Sequence, residues 1–146
     1  MGRPAEWCII RLLHMRDHPL VLLIDDEEDF LEIASVKLQA EGFDTVITHS
    51  VPEALAKAED LLPDLILSDI YMPPGPNGWE LALAVRRDPK LQHVRFALFT
   101  SLRDPMMDLA QDDRARMMSE LKGIPIFSKV DDVEELDKKI STLLSH

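Results

Sequence analysis

Two short, unbroken apolar runs that each end in aspartate restrict this chain more than any other feature. Leu20-Val21-Leu22-Leu23-Ile24 leads directly into Asp25-Asp26, and Leu65-Ile66-Leu67 leads through Ser68 into Asp69. A short continuous apolar stretch bounded by polar residues suits a strand buried on both faces, as in a parallel sheet covered by helices. A third run, Phe96-Ala97-Leu98-Phe99, ends at Thr100. These are read as strands β1 (20–24), β3 (65–69) and β4 (96–100).

The segments between them supply the crossovers that parallel strands require. After β1, Phe30, Ile33, Ala34 and Leu38 recur at helical spacing and Gly42 offers a stop, which predicts helix α1. Residues 45–48 read as a short edge strand, β2. Ser50-Val51-Pro52-Glu53 has the form of a capping box that opens helix α2. Beyond β3, the turn-rich Pro73-Pro74-Gly75-Pro76-Asn77-Gly78 precedes helix α3, which runs through Val85. A polar helix, α4, is predicted over much of 105–122, a strand β5 at 124–128, and a final helix α5 that buries Val133, Leu136, Ile140 and Leu143. Strands alternating with helices predict an α/β fold: a doubly wound, five-stranded parallel sheet with helices on both faces. In such sheets ligands gather beyond the carboxyl ends of the strands, at the point where the strand order reverses.

At 146 residues and 46% apolar, the chain has material for one compact domain, expected at 19–146. Residues 1–18 read as an N-terminal extension: a short helix, a disordered arm, or the product of an upstream start with Met15 as the original initiator. The apolar stretch at 7–10 is interrupted by Arg11 and too short for a membrane span or a signal-peptide core. Arg3, Arg11 and Arg16 face only Glu6 and Asp17 in that segment, so the acidity lies in the rest of the chain. A formal net charge of -11 argues against direct nucleic-acid binding, which needs a basic surface to displace counterions. With Cys8 as the sole cysteine, an internal disulfide and a cysteine-ligated zinc are both excluded, and a cytoplasmic location is expected.

If the strands are parallel, Asp25, Asp26, Asp69, Thr100 and Lys129 all fall on one edge of the sheet. Three crowded carboxylates repel one another and raise at least one pKa unless a cation neutralises them. Mg²⁺ suits the role, because it takes oxygen ligands and is commonly held by one or two carboxylates together with phosphate oxygens. A lysine ammonium and a threonine hydroxyl opposite can then bind the remaining phosphoryl oxygens. Positioning and charge neutralisation are what phosphoryl transfer asks of a protein.

At this point the sequence resembles the receiver domains of two-component response regulators. The matching stretches are Val21 to Glu27 (VLLIDDE), Asp64 to Pro73 (DLILSDIYMP) with Gly78 beyond, Phe99-Thr100-Ser101, and Phe127-Ser128-Lys129. With the final helix the likeness covers 20–144, and its strength lies in order and spacing rather than in any one stretch. The resemblance implies the flavodoxin-like strand order 2-1-3-4-5. It also implies that Asp69 is the phosphoacceptor, taking its phosphoryl group from a histidine kinase or phosphotransfer protein. Asp26 and Asp69 would ligate Mg²⁺ directly, the backbone carbonyl of Tyr71 would be a third ligand, and Asp25 would act largely through a bound water. Thr100 and Lys129 would hold the phosphoryl group, and the surface of α4, β5 and α5 would change for a downstream protein target, for a homodimer or for a further phosphorelay step. Autophosphatase activity would be slow at most.

Several positions depart from the family pattern. Val130 stands where proline usually follows the lysine, so a trans peptide is expected. Ile126 occupies the place of the usual aromatic switch residue and Phe127 comes one place later, which strand alternation would turn to the opposite face. The stretch from Thr100 to Lys129 is longer than usual. By resemblance, the bulk of Tyr71 and Leu102 beside the site implies a slow loss of phosphate. Met106, Met107, Met117 and Met118 read as gap-filling core residues, and Trp79 as packing.

Three rival readings compete with this one. A phosphatase of the haloacid-dehalogenase type would need a second aspartate two places after the nucleophile, where this chain has Tyr71. A nucleotide-binding protein would need a glycine-rich phosphate loop, and none follows any strand. The nearest rival is a degenerate receiver acting as a constitutive protein-binding module without phosphorylation.

Overall fold

The computed structural model describes residues 17–72, 75–101, 115–116, 119–129 and 132–145. Five strands form one sheet in the order β2-β1-β3-β4-β5. They are β1 Leu20–Ile24, β2 Asp44–Thr48, β3 Leu65–Asp69, β4 Arg95–Thr100 and β5 Ile126–Ser128. Every pairing is parallel. The order reverses between β1 and β3, because the chain leaves β1 toward one edge and leaves β3 toward the other.

The apolar runs become the central strands because each residue has helix-covered core on its side of the sheet. All five residues of β1 and all five of β3 are buried. On one face Leu22, Ile24, Ile66 and Leu98 pack with Ala54 and Ala58 of α2 (Val51–Leu61) and with Trp79, Leu81 and Ala82 of α3 (Gly78–Arg87). On the other, Val21, Leu23, Leu65, Leu67 and Phe99 pack with Leu31, Ala34 and Leu38 of α1 (Glu28–Ala40) and with Leu136 and Ile140 of α5 (Leu136–Leu144). Burying one side chain of this kind contributes about 1.5 to 3 kcal/mol, so these two layers are the main source of stability.

The structure amends several local expectations. Ile33 was expected on the buried face of α1 but is 52% exposed, because the helix turns Leu31, Ala34, Ser35 and Leu38 inward. Phe30 lies at the border of that face and is only half-buried. The capping box at α2 is half formed: the Ser50 hydroxyl accepts the Glu53 N–H at 3.4 Å, but the Glu53 carboxylate accepts from His49 rather than from Ser50. At α3 the Glu80 carboxylate accepts the Asn77 N–H at 2.7 Å, and apart from that cap Asn77 Oδ1 accepts the Met72 N–H of the preceding turn at 3.0 Å. Strand β5 has three residues instead of five, since Ile124 precedes the paired register that starts at Ile126. Val133 belongs to a 3₁₀ turn (Val133–Glu135) ahead of α5 and is half-buried, as is Leu143.

Gly42 closes α1 with φ +94°, in the left-handed region that favours glycine. Trp79 is packing, at 4% exposure. Alternation on β5 holds as expected: Ile126 is 38% exposed, whereas Phe127 turns toward Phe99 with ring centroids 5.7 Å apart. Residues 1–16, Pro73, Leu102, Met106, Met107, Met117, Met118 and Val130 lie outside the described residues, as does most of the α4 range. The expectations placed on them, including the Lys129-Val130 peptide, therefore go with them. Among the described residues no helix is long and apolar enough to cross a membrane.

Candidate functional site

The carboxyl ends of β1, β3, β4 and β5 deliver Asp25, Asp69, Thr100 and Lys129 to one edge, beside the point where the strand order reverses. Asp25 follows the last residue of β1, and its Oδ1 accepts the Glu27 N–H at 3.0 Å, which bends the chain into α1. Asp26, next in line, is exposed. Asp69 is the last residue of β3 and is 8% exposed. Its Oδ1 accepts the Ile70 N–H at 2.9 Å. Carboxylate oxygens of Asp25, Asp26 and Asp69 lie within 4.8 Å of one another.

Lys129 comes from two strands away. Its backbone N–H donates to the Thr100 carbonyl at 2.8 Å, extending the β4–β5 pairing by one residue. The side chain crosses the end of β4 to place Nζ 2.5 Å from Asp25 Oδ2, 3.2 Å from Glu27 Oε1 and 3.5 Å from Asp69 Oδ2. Thr100, 5% exposed, ends the strand between them. Tyr71 follows the site and is 49% exposed.

Electrostatics follow from this crowding. Burial, and then the Asp25 charge, push the Asp69 carboxyl up to about 7, against the pull of Lys129. Asp25 is also raised, chiefly by burial, despite its hydrogen bond with Lys129. At Lys129 burial works against the charged form, but Asp25, Asp69 and Glu27 outweigh it and hold the ammonium above its usual range. Two buried acids displaced upward beside a third, with one ammonium among them, leave an excess of negative charge. A hard cation with oxygen ligands relieves it, and the donor set fits Mg²⁺: carboxylate oxygens only, partly open to water at Asp26.

The sequence-predicted residues Asp25, Asp26, Asp69, Thr100 and Lys129 thus stand together, with Tyr71 next to them. Two further side chains join the site. Phe30, read as a core residue, turns its ring toward the site, with Lys129 Nζ 4.7 Å from the ring centroid. Glu27 ion-pairs with Lys129. Glu27 was visible as a third acid after Asp25-Asp26, but nothing in the helical periodicity of α1 distinguishes Phe30 from a core residue.

Three comparisons bear on this arrangement. The family model described as response regulator receiver domain matches residues 21–121. The DNA-binding response regulator MtrA of Mycolicibacterium paratuberculosis is 29% identical over 110 residues, which are 75% of this chain and 48% of that protein. Response regulator PleD of Caulobacter vibrioides is 35% identical over 82 residues, 56% of this chain and 18% of that protein. The chain therefore spans about half the length, or less, of these curated relatives. Among solved structures, chemotaxis response regulator CheY4 of Vibrio cholerae superposes with a TM-score of 0.71 at 25% identity, covering 86% of this chain and 98% of that one. A CheY-like receiver domain protein from Methanospirillum hungatei gives 0.72 at 22% identity, over 88% and 95%, a likeness of fold. With the family model matching well over half the residues on top of this strand order, the chain belongs to the response regulator receiver domains and is a module of two-component signal transduction.

Proposed function

We propose that this receiver is a phosphoryl-accepting switch in which Asp69 is the phosphoacceptor. The observation that carries the reading is the set of three carboxylates within 4.8 Å of one another, with the Lys129 ammonium 3.5 Å from the central one. Asp26 and Asp69, with Asp25 through water and the Tyr71 carbonyl, would hold Mg²⁺, which when bound supplies positive charge against the phosphoryl oxygens. The Asp69 carboxylate attacks phosphorus, a carboxylate oxygen–phosphorus bond forms, and the bond from phosphorus to the donor histidine nitrogen breaks; with its other ring nitrogen protonated, the donor leaves as a neutral imidazole. Lys129 and Thr100 bind the transferred group, and their charge-assisted contacts favour one of two arrangements of the domain.

The donor is a histidine kinase or a phosphotransfer protein, and the recipient of the signal is a protein that reads the surface of α4, β5 and α5. The chain's formal net charge of -11 suits a protein partner with basic contacts in the cytoplasm rather than nucleic acid. DNA binding is a property of the MtrA relatives, whose length this chain only half covers.

Incubation with acetyl phosphate and Mg²⁺, followed by intact mass, tests the reading. One added phosphoryl group, absent in Asp69→Asn, is the expected result. No adduct under any condition would favour the constitutive binding module, a reading to which the pre-existing pairing of Lys129 with Asp25 and Glu27 lends some support.

A further inference from the structure

Lys129 is held by two kinds of partner that respond differently to a cation. Asp25 and Asp69 belong to the carboxylate group that Mg²⁺ would neutralise. Once they face a dication, their attraction for the ammonium is largely cancelled, and the dication itself repels Lys129. A lysine kept in place by those two carboxylates alone would then swing toward water, because its four-carbon stem is flexible. It would leave at the moment the proposed chemistry needs it.

The other two partners lie outside that group. The Phe30 ring lies below the ammonium, Nζ 4.7 Å from its centroid, and its attraction comes from the ring quadrupole rather than from an ionisable acid. The ring is held by Phe99, whose own ring meets it edge to face at 5.0 Å and 71°. Glu27 Oε1, 3.2 Å from Nζ, is on the rim with its side chain 58% exposed. The Lys129 side chain is only 6% exposed, so the ring face replaces water as the surroundings of the charge. Desolvation strengthens such a contact.

We propose that Phe30, assisted by Glu27, forms a metal-independent seat that keeps the Lys129 ammonium at the phosphoryl position when a cation takes over the acidic cluster. Phe30 is thus a positioning residue, acting through Lys129. The inference rests on the reading under Proposed function for the ligand that Lys129 meets, and on geometry alone for the seat.

The test uses the full chain and beryllofluoride, a stable stand-in for the phosphoryl group, with Mg²⁺. Phe30→Leu keeps an apolar side chain but removes the ring face; Phe30→Tyr keeps the ring. Expected results are a beryllofluoride affinity about three- to thirty-fold weaker in Phe30→Leu, restored in Phe30→Tyr, with affinity for Mg²⁺ alone not weakened in either. A nuclear Overhauser contact between the Lys129 ε-methylene and the Phe30 ring should persist in wild type when Mg²⁺ is added. Thermal melts establish that each variant is folded, and the Overhauser contact decides the matter in wild type even if Phe30→Leu is not. Loss of that contact on adding Mg²⁺, or an unchanged beryllofluoride affinity in folded Phe30→Leu, overturns the seat alone. Wild type that binds neither Mg²⁺ nor beryllofluoride overturns the phosphoacceptor reading and the seat with it.

Discussion

A Cβ placed on Gly78 would stand 1.8 Å from the backbone carbonyl oxygen of Asp69 and 2.7 Å from the Ser68 hydroxyl. The first residue of α3 and the last of β3 are therefore packed backbone to backbone. The Gly78 N–H, donating to the Ile70 carbonyl at 2.9 Å, ties the helix start to the strand end. Asp69 owes its position partly to a missing side chain nine residues later.

Gly78→Ala should therefore be costly. The obstruction is a carbonyl in the middle of a buried strand end, which cannot swing aside as a flexible side chain could. We expect a loss of about 3 kcal/mol or more, at the upper end of overpacking effects. Urea denaturation reads it directly. A midpoint within experimental error of wild type would show that α3 can slide away from β3 at little cost.

Asp69 gives a stability signature at accessible pH. Its folded-state value of about 7 lies above the ordinary 3.8, so between those values the folded chain binds more protons than the unfolded chain. Stability of the metal-free protein is then greatest at the acid end of that window, falls as pH rises through it, and levels off above about 7. Asp25, shifted the same way, adds to the slope. Asp69→Asn removes the charge that becomes unfavourable, so at pH 8 it should be more stable than wild type by a few kcal/mol, on the order of the shift itself, with a flatter profile. Urea midpoints from pH 5 to 8 without Mg²⁺ check the sign. Wild-type stability that rises across that range would refute it.

What the sequence disclosed follows from how local each signal is. Runs such as 20–24 and 65–69 carry their own burial pattern, and acids at their ends mark the functional edge once the strands are taken as parallel. The strand order follows only from the resemblance to receiver domains, whereas the alternation of Ile126 and Phe127 follows from strand periodicity. Ile33 departs from the expected buried face for a physical reason. Periodicity identifies a stripe on a helix but not its rotation by a fraction of a turn, and that rotation decides whether Leu31 or Ile33 enters the core. The fit of Gly78 against Asp69, and the cap that Asn77 makes with Glu80, depend on contacts across a turn whose path the sequence does not specify.

Asp132 offers a test of how the loop after β5 is held. Its Oδ2 accepts the Ser128 N–H at 2.6 Å, and its Oδ1 pairs with Lys139 at 3.2 Å. The Ser128 hydrogen bond, the largest influence, holds its carboxyl below the ordinary value. That contribution is present above the unfolded value and disappears as pH falls through the depressed one. Asp132→Ala should cost about 1 kcal/mol at pH 7, the scale of one partly solvated hydrogen bond to a charge, and less at pH 3. Because Lys129 lies between Ser128 and Asp132 in the chain, the variant should also accelerate amide exchange at Lys129. Unaltered exchange there would mean that the contact to Thr100 alone fixes the lysine backbone.

Lys129 and a bound cation compete for the same oxygens. The ammonium lies 2.5 Å from Asp25 and 3.5 Å from Asp69, both members of the carboxylate group that fits Mg²⁺. Any cation must therefore enter against a positive charge already present. Lys129→Met keeps the length of the stem and removes the charge, and it leaves three carboxylates facing one another without their internal counterion. Two consequences of opposite sign follow. Without metal at pH 8 the variant should be less stable than wild type, because a buried ion pair has lost one partner; losses of this kind reach about 3 to 5 kcal/mol. With millimolar Mg²⁺ it should recover more stability than wild type does, because its affinity for the cation is higher, and ligand binding to the folded state raises stability by mass action. Melting temperatures of both proteins across a Mg²⁺ titration separate the two effects. If the Mg²⁺-dependent rise were the same in both proteins, lysine and cation would not share the Asp25 and Asp69 oxygens, and the cation would have to bind elsewhere.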